Sequence, residues 1–189
     1  MSNLFEWDEL NLIREEARRL MSLPKEKRKE ARDTFCDYLE FVLCLVYAYG
    51  WKDAEEIVGI VPFKDGLDDK AVNLDIDHKT FRDRVDEQIE DGDEAGMLRI
   101  IDTESHRDYN TGVYDAAVES GVPDLLKKWN TMMDGRVRDT HIYLEQVKVG
   151  LEDRFYTFDG DSALAPGGFT LPENNINCRC WITIEKGVT

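Results

Sequence analysis

The first sixty residues repeat apolar side chains with the period of an α-helix. The opening segment has them at steps of three and four residues, at Leu4, Trp7, Leu10, Ile13, Ala17 and Leu20, which predicts an amphipathic helix. Pro24 suits the first turn of a second helix, which starts charged and becomes strongly apolar over residues 35–49. We expect Gly50 to end this helix and a third, short helix to span residues 52–58. The N-terminal part is therefore predicted to be helical.

The pattern changes in the second half of the chain. Two more helices are predicted, over residues 79–90 and 94–120, and Gly121 is expected to cap the second. Beyond Pro123 the apolar runs shorten and alternate with turn-rich stretches, which predicts strands over residues 127–132, 146–149, 155–158 and 180–184. The predicted fold class is α+β: a helical N-terminal part followed by a small α+β C-terminal module with short antiparallel strands.

The distribution of charge divides the chain further. Its 189 residues include 24 Lys+Arg and 40 Asp+Glu, which gives a net charge of -16. Residues 61–96 alone hold 5 basic and 12 acidic side chains. We therefore predict a helical arm at 1–60, an acidic connector with one helix at 61–96 and a C-terminal module at 97–189. This acidity argues against non-specific DNA binding, which depends on Lys and Arg, and fits docking on a basic protein surface.

The sequence predicts neither a membrane span nor an export signal. The longest apolar run, residues 41–49, has nine residues, whereas a bilayer requires about 20. Met1 is followed by acidic and aromatic residues instead of a basic and then an apolar segment. We therefore expect no membrane contact and synthesis in the cytoplasm. Cys36 and Cys44 lie eight positions apart on one predicted helical face, where buried, unreactive thiols are expected.

Polar residues in the C-terminal half have the spacing of a site. Asp134, Arg138 and His141 are four and three positions apart, so in a helical turn they point to one side and Asp134 pairs with Arg138. Either Asp134 or Glu104 would then hold the imidazole of His141 in one tautomer. Internal ion pairs with these two carboxylates are expected to hold Arg138 and Arg179, in preference to phosphate binding.

Two cysteines near the C-terminus add a second feature. Cys178 and Cys180 are two positions apart, so in a strand both thiols face one side and Arg179 faces the other. Together with His141 they make a set of three zinc ligands. The gap between the cysteines is shorter than in usual zinc knuckles and no fourth ligand is evident, so we expect buried structural thiols, a hydrogen-bonded His141 and no cofactor. Zinc on His141, Cys178 and Cys180 stays open as the alternative.

The order of these residues resembles the phage minor head proteins typified by phage Mu protein F, also called the head morphogenesis family. The C-terminal module of that family is marked by Thr-Glu in a helix, a Trp, Asp-x-x-x-Arg-x-x-His, an acidic residue shortly before a Phe, a Pro-Gly turn and Asn-Cys-Arg-Cys before the last strand. The matching residues here are Thr103, Glu104, Trp129, Asp134, Arg138, His141, Glu152, Asp153, Phe155, Pro166, Gly167, Asn177, Cys178, Arg179 and Cys180. The resemblance covers about residues 97–185 and departs from the family pattern at 144–146 and 165–168, in predicted loops.

The resemblance implies a structural role in the virion of a tailed bacteriophage. It implies that the C-terminal module packs in the capsid interior or near the portal, contacts the portal or the major head protein during assembly, and works close to packaged DNA. The motif residues are then structural. The apolar helix at 35–49 is expected to join the internal core, with anchoring on a partner as the alternative.

An enzymatic function is the competing hypothesis. Modules of this family are implied to occur fused to toxin domains, so an effector enzyme such as a nuclease or an ADP-ribosyltransferase would use Arg138 and His141, with Glu104 as an acid/base partner. An activated nucleophile is not evident near these residues in the sequence. We therefore expect His141 to be a hydrogen-bonded core or interface residue, assign no catalytic residue and expect no enzyme.

Overall fold

Helices make up most of the N-terminal two thirds of the structure. The computed structural model describes residues 7–62 and 79–187. Helices α1 (Asp8–Met21) and α2 (Lys25–Val58) lie in the first range, and α3 (Phe81–Asp91) and α4 (Glu94–Ser120) lie in the second. They follow the predicted order. Leu4, and residues 63–78 of the predicted connector with His78, lie outside the described residues.

Strands follow the helices, as predicted. The remaining elements are β1 (Leu125–Asn130), α5 (Asp139–Ile142), β2 (Lys148–Gly150), β3 (Phe155–Tyr156), β4 (Ser162–Ala163), α6 (Pro172–Asn175) and β5 (Trp181–Lys186). The order in the three-stranded sheet is β2-β1-β5, and β3 pairs with β4. All three of these strand pairings are antiparallel. The α+β class with short antiparallel strands is confirmed. The bounds of β1, β2 and β5 differ from the prediction by one or two residues, β3 begins as predicted but ends two residues earlier, and β4 was not predicted.

Local sequence decides where α3 and α4 meet. Thr80 and Asp83 form a reciprocal capping box at the start of α3, where the Thr80 amide donates to the Asp83 carboxylate at 2.9 Å. Gly92 ends α3 with φ of 73°, a left-handed conformation that glycine adopts at little cost. Asp93 then caps α4 by accepting a hydrogen bond from the Gly96 amide at 2.9 Å. Only two residues therefore separate the helices, and α3 packs beside α4.

Gly50 does not end the second helix. Helix α2 continues through Gly50 to Val58 and absorbs the short helix that we predicted separately. A Cβ atom on Gly50 would overlap the carbonyl oxygen of Tyr109 on α4, and one on Gly112 would overlap that of Tyr47 on α2. Helices α2 and α4 therefore cross at close range at Gly50 and Gly112, because two helix backbones can come this close only where no side chain lies between them.

The apolar segment of α2 forms the centre of the core. Its side chains Phe35, Leu39, Val42, Leu43, Val46 and Tyr47 are each no more than 3% exposed. The buried apolar residues join α1 to α4 and the sheet in one continuous cluster. The internal-core interpretation of residues 35–49 is confirmed, and the alternative of this face anchoring to a partner is wrong. The division at residues 60 and 96 stays a prediction.

The cysteines of α2 behave as expected of packing residues. Cys36 is fully buried and Cys44 is half-buried. Burial raises the pKa of the Cys36 thiol to about 11, so the thiol stays protonated and unreactive.

Among the described residues, no helix has the length and apolar character needed to cross a membrane.

The close helix crossing is testable by adding one methyl group. We expect Gly50→Ala and Gly112→Ala each to lower the free energy of unfolding by ~1–3 kcal/mol, because the new methyl overlaps backbone that cannot rotate away. The overlap outweighs the helix propensity gained with alanine, which is at most about 1 kcal/mol. Urea unfolding followed by circular dichroism measures the change.

The matched control is Gly135→Ala, where an added Cβ would meet nothing within 4 Å. This variant is expected to change stability by no more than about 0.5 kcal/mol. Unchanged or increased stability of the Gly50 and Gly112 variants would contradict the close crossing.

Candidate functional site

His141, Cys178 and Cys180 meet in the interior of the C-terminal module. The Nδ1 atom of His141 lies 3.5 Å from Sγ of Cys178 and 3.6 Å from Sγ of Cys180. All three side chains are buried, with 1%, 3% and 3% of their residue surface exposed. The three ligand atoms lie within 4.8 Å of one another. The sequence-predicted set is therefore brought together around a common centre.

An aromatic cage fixes the ring of His141. Phe169 stacks on the imidazole at a centroid distance of 5.3 Å, and Trp129 meets it edge-on at 5.6 Å. Phe155 packs edge-on against Trp129 at 5.0 Å. Asn175 secures the cage by accepting from the amide of Phe169 at 3.0 Å and donating to its carbonyl at 2.6 Å. The imidazole orientation is consequently set by packing.

Helix α4 positions the segment that carries the two cysteines. Asn177 has φ of 57° and donates its amide to Oγ1 of Thr103 at 3.3 Å. Asn110, fully buried, donates to the carbonyl of Cys180 at 3.2 Å and accepts from the amide of Ile182 at 2.9 Å. These bonds connect α4 to both sides of the cysteine pair and pin its backbone.

The cysteine pair alternates with Arg179 as predicted. Arg179 points away from the thiols and donates to Asp134 at 2.6 Å. This hydrogen bond, with a second from the Arg136 amide, lowers the pKa of Asp134 to about 2. The predicted pair of Asp134 with Arg138 is wrong, because residues 134–137 form a single turn, closed by a hydrogen bond from the Val137 amide to the Asp134 carbonyl at 3.1 Å, and the chain is extended at Arg138 instead of continuing as a helix. Arg138 instead precedes α5 and donates to the carbonyl of Ile176.

Glu104 lies in a separate buried ion cluster. It accepts from Arg84 of α3 at 2.6 Å and pairs with Arg107 one turn along α4. The predictions that Glu104 holds His141 or pairs with Arg138 or Arg179 are therefore wrong. His141 faces thiols where a carboxylate was expected, and its Nε2 atom has no hydrogen-bond partner among the described residues.

The two thiols share their protons unequally. A hydrogen bond from Cys180, with the His141 ring nearby, holds the pKa of Cys178 well below its usual range. The same hydrogen bond raises the pKa of Cys180, and burial adds to that increase. The pair thus accepts one negative charge readily and resists a second one. A cation at the centre would stabilise both charges.

An open cleft borders this centre. It measures about 720 Å³ and is lined by Arg136, Arg138 and Arg179 with Cys178 and Asn177. A much smaller cavity of about 10 Å³ lies against His141 and Cys180, which is at the lower limit of the space that can hold one water molecule.

His106, to which no role was assigned, lines the large cleft from the side of α4. Burial, together with the charges of Arg179 and Arg14, lowers the pKa of His106 to about 3. Its imidazole is consequently neutral at physiological pH.

Sequence reasoning missed the residue that organises the loop over the cage. Asp161 accepts from the amides of Ser162, Thr170 and Leu171 at 2.8, 3.1 and 3.0 Å, and from the side chain of Asn174 at 3.1 Å. One carboxylate therefore folds the loop that carries Phe169. An Asp between a Gly and a Ser, in a stretch rich in turn residues, was the available signal.

Comparison with known proteins shows the family to which the chain belongs. The sequence matches the family described as Phage Mu protein F like protein over residues 72–183, which is more than half of the chain. It is also 36% identical over 91 residues to the NAD(+)--arginine ADP-ribosyltransferase EFV of Enterococcus faecalis (strain ATCC 700802 / V583). That match covers 47% of this chain and 18% of the relative's length. No solved structure matches.

The fold and the site together define a class of protein. Its members have a helical N-terminal part followed by an α+β module with a buried centre of one His and two Cys residues. The chain belongs to the phage Mu protein F like family, a family of phage head proteins. The matched range includes Glu104, Trp129, the 134–141 segment and the 177–180 segment, so the resemblance drawn from these residues is confirmed.

Lys127 is a buried charge beside the aromatic cage. It lies on the inward face of β1 with Leu125 and Trp129 and is fully buried. Its Nζ atom lies 4.9 Å from the ring centroid of Tyr114 and 5.5 Å from that of Phe155, and it has no hydrogen-bond partner in the described part of the chain. Burial lowers the pKa of Lys127 to about 8. At neutral pH the charged amine therefore lowers the free energy of unfolding.

Replacing this amine by an apolar group of similar shape is expected to stabilise the protein. A pKa reduced from 10.5 to about 8 corresponds to a penalty of ~3 kcal/mol for the charged form, part of which the ring contacts offset. We expect Lys127→Met to raise the free energy of unfolding by ~1–2 kcal/mol at pH 7.

The pH dependence gives a second criterion. Between about pH 8 and 10.4 the unfolded chain binds more protons at this position than the folded one, so wild-type stability gains from this group as pH rises through that window. The advantage of Lys127→Met over wild type is expected to shrink across it. Lys128→Met is the control, because Lys128 pairs with Glu185 at 2.6 Å and its loss brings no gain. A pH-independent effect, or destabilisation by Lys127→Met at pH 7, would show that the amine is not penalised.

Proposed function

We propose that the protein is a minor head protein of a tailed bacteriophage that acts in head morphogenesis through contacts with other proteins. Membership of the phage Mu protein F like family carries this proposal. The contacted proteins are the portal, the major head protein or both. The proposed location is the virion, in the capsid interior or beside the portal, after synthesis in the host cytoplasm.

An exposed aromatic pair supports a docking role. Tyr143, directly after α5, is 73% exposed, and Phe158, after β3, is 67% exposed. Their rings meet edge-on at a centroid distance of 5.6 Å. We call these two residues the aromatic patch. Exposed aromatic side chains that contact each other are typical of protein interfaces, where they supply a large contact area with little loss of conformational entropy.

The charge of the chain favours protein partners over DNA. A net charge of -16 repels the phosphate backbone and attracts basic protein surfaces. Arg136, Arg138 and Arg179 do line one cleft, but Arg179 is paired with Asp134 and Arg138 with a backbone carbonyl. Proximity to packaged DNA would thus be maintained through partners.

The proposal is tested by binding to assembled heads. The purified chain is expected to co-sediment with procapsids of its phage and to be retained by immobilised portal or major head protein. Tyr143→Ser combined with Phe158→Ser is expected to weaken this binding by ~10-fold or more, because central aromatic contacts carry much of the binding free energy of an interface. Both side chains are exposed, so the fold is expected to be retained.

Phe41→Ser is the matched control. Phe41 is an aromatic residue of α2 that is 58% exposed and lies outside the aromatic patch, so its loss is expected to leave binding unchanged. Absence of wild-type binding to procapsids, portal and major head protein would refute the head-assembly role. Equal binding by the double variant and the control would refute the role of the aromatic patch alone.

The name of the Enterococcus relative favours a second candidate, an effector enzyme such as an ADP-ribosyltransferase, with a nuclease as the other activity considered. The geometry gives it little support. His141 is 1% exposed and its Nδ1 faces two thiols, so it cannot exchange protons with a substrate as a general base must.

We expect the wild-type chain to leave NAD and RNA intact over hours of incubation. NAD turnover that disappears in Arg138→Ala, while the circular dichroism spectrum is kept, would reverse the ranking of the two candidates.

A further inference from the structure

We propose that His141, Cys178 and Cys180 bind one Zn²⁺ ion, with a water molecule as the fourth ligand. The site would be a buried Cys₂His centre that joins α5 to the segment before β5. This inference is independent of the head-assembly role, since it concerns how the module is held together.

The interatomic distances fit a shared metal. Zn–N bonds of about 2.0–2.1 Å and Zn–S bonds of about 2.3 Å at tetrahedral angles place nitrogen and sulfur ~3.5–3.6 Å apart. The observed separations from His141 Nδ1 are 3.5 Å to Cys178 Sγ and 3.6 Å to Cys180 Sγ. These values agree with the edges of a tetrahedral coordination sphere.

Hydrogen bonding alone explains this arrangement less well. Nδ1 of a neutral imidazole has a single lone pair, which accepts one S–H donor along its axis. Here one nitrogen faces two sulfur atoms at nearly equal distances. Equal sharing is what a metal ion between three ligands produces, because each ligand then directs its lone pair at the ion and not at a neighbouring ligand.

The surroundings are those of a pre-organised metal site. Contacts with Trp129 and Phe169 hold the ring of His141, and hydrogen bonds from α4 hold the backbone at Asn177 and Cys180. The ligands are therefore positioned by groups outside the coordination sphere, as metal ligands usually are. Two thiolates and an imidazole are the donor set that selects zinc over hard cations such as Mg²⁺ or Ca²⁺.

The fourth position has room for one water molecule. The cavity of about 10 Å³ beside His141 and Cys180 is at the lower limit of the space that a single water requires. Cys178 also lines the open cleft of about 720 Å³, which gives the ion a path to the centre from solvent. Both sulfur atoms bind zinc as thiolates, so metal binding would release the protons that the thiols still carry.

The metal content of the full chain tests this directly. Protein purified under reducing conditions with zinc present is expected to contain one zinc per chain after gel filtration. X-ray absorption at the zinc edge is expected to show two sulfur ligands at about 2.3 Å and one imidazole nitrogen at about 2.0–2.1 Å. Substitution with Co²⁺ is expected to give a thiolate-to-cobalt charge-transfer band and the intense visible bands of tetrahedral cobalt.

Variants separate this centre from other cysteines. Cys178→Ser and Cys180→Ser are expected to lower zinc content to below one tenth of the wild-type value, whereas Cys44→Ser, at a half-buried cysteine of α2, is expected to retain one zinc. His141→Cys is expected to retain zinc with three sulfur ligands. Removal of zinc by a chelator is expected to lower the melting temperature of the wild type, and added zinc to restore it.

Three results would overturn the proposal. The folded, reduced wild type would bind neither zinc nor Co²⁺ stoichiometrically, or the absorption edge would lack sulfur ligands, or mass spectrometry of freshly isolated protein would find a disulfide between Cys178 and Cys180. Each readout uses the wild-type chain, so the proposal stays testable even where a variant fails to fold.

Discussion

The rest of the structure depends on a close crossing of α2 and α4, in which the backbones of the two helices are in direct contact. Gly50 and Gly112 each present bare backbone to a carbonyl oxygen of the opposite helix, so the two long helices lie closer than their side chains would otherwise permit. The apolar segment of α2 is buried against this crossing. Helix α4 is thereby held along its length, and it becomes the fixed element on which the C-terminal module is assembled.

The module uses α4 as its reference. Thr103 and Asn110 lie two turns apart on this helix and bond to the backbone on either side of the cysteine pair. The Pro166-Gly167 turn lies against Arg107 of the same helix, where a Cβ on Gly167 would come within 3.0 Å of Arg107 atoms. The helical part and the module thus stabilise each other. Helix α4 positions the buried centre, although none of the three ligand side chains lies on that helix.

Sequence periodicity predicted where the long helices lie, although it divided α2 at Gly50, and it predicted the local geometry of the cysteines. The alternation of Cys178, Arg179 and Cys180 was predicted correctly because it depends on neighbouring positions alone. An ion pair of Arg179 with Asp134 or Glu104 was expected, and the structure has the pair with Asp134, 45 residues away. Which of the two arginines pairs with Asp134 could not be predicted, because that depends on how the chain before β5 returns beside β1. Gly50 was misread for a similar reason: a glycine needed for close packing and a glycine that ends a helix look alike until the partner helix is known.

The burial of Lys127 is a further feature that the strand pattern of the sequence could not predict. The strand pattern at 125–130 has alternate inward positions, and one of them carries an amine that ordinarily lies at the surface. Only the tertiary structure reveals that aromatic rings surround it. The resemblance pointed to the family, while the contacts of the motif residues had to come from the fold.

The position of the aromatic patch has a consequence for recognition. Tyr143 follows the caged His141 by two residues, and Phe158 follows Phe155, which packs on Trp129. Two surface rings are therefore attached at short range to a tightly packed interior. A partner that bound them would meet side chains whose near neighbours are already held by packing, so little conformational freedom would be lost on association. Under the proposed docking role, such a surface favours a slowly dissociating contact.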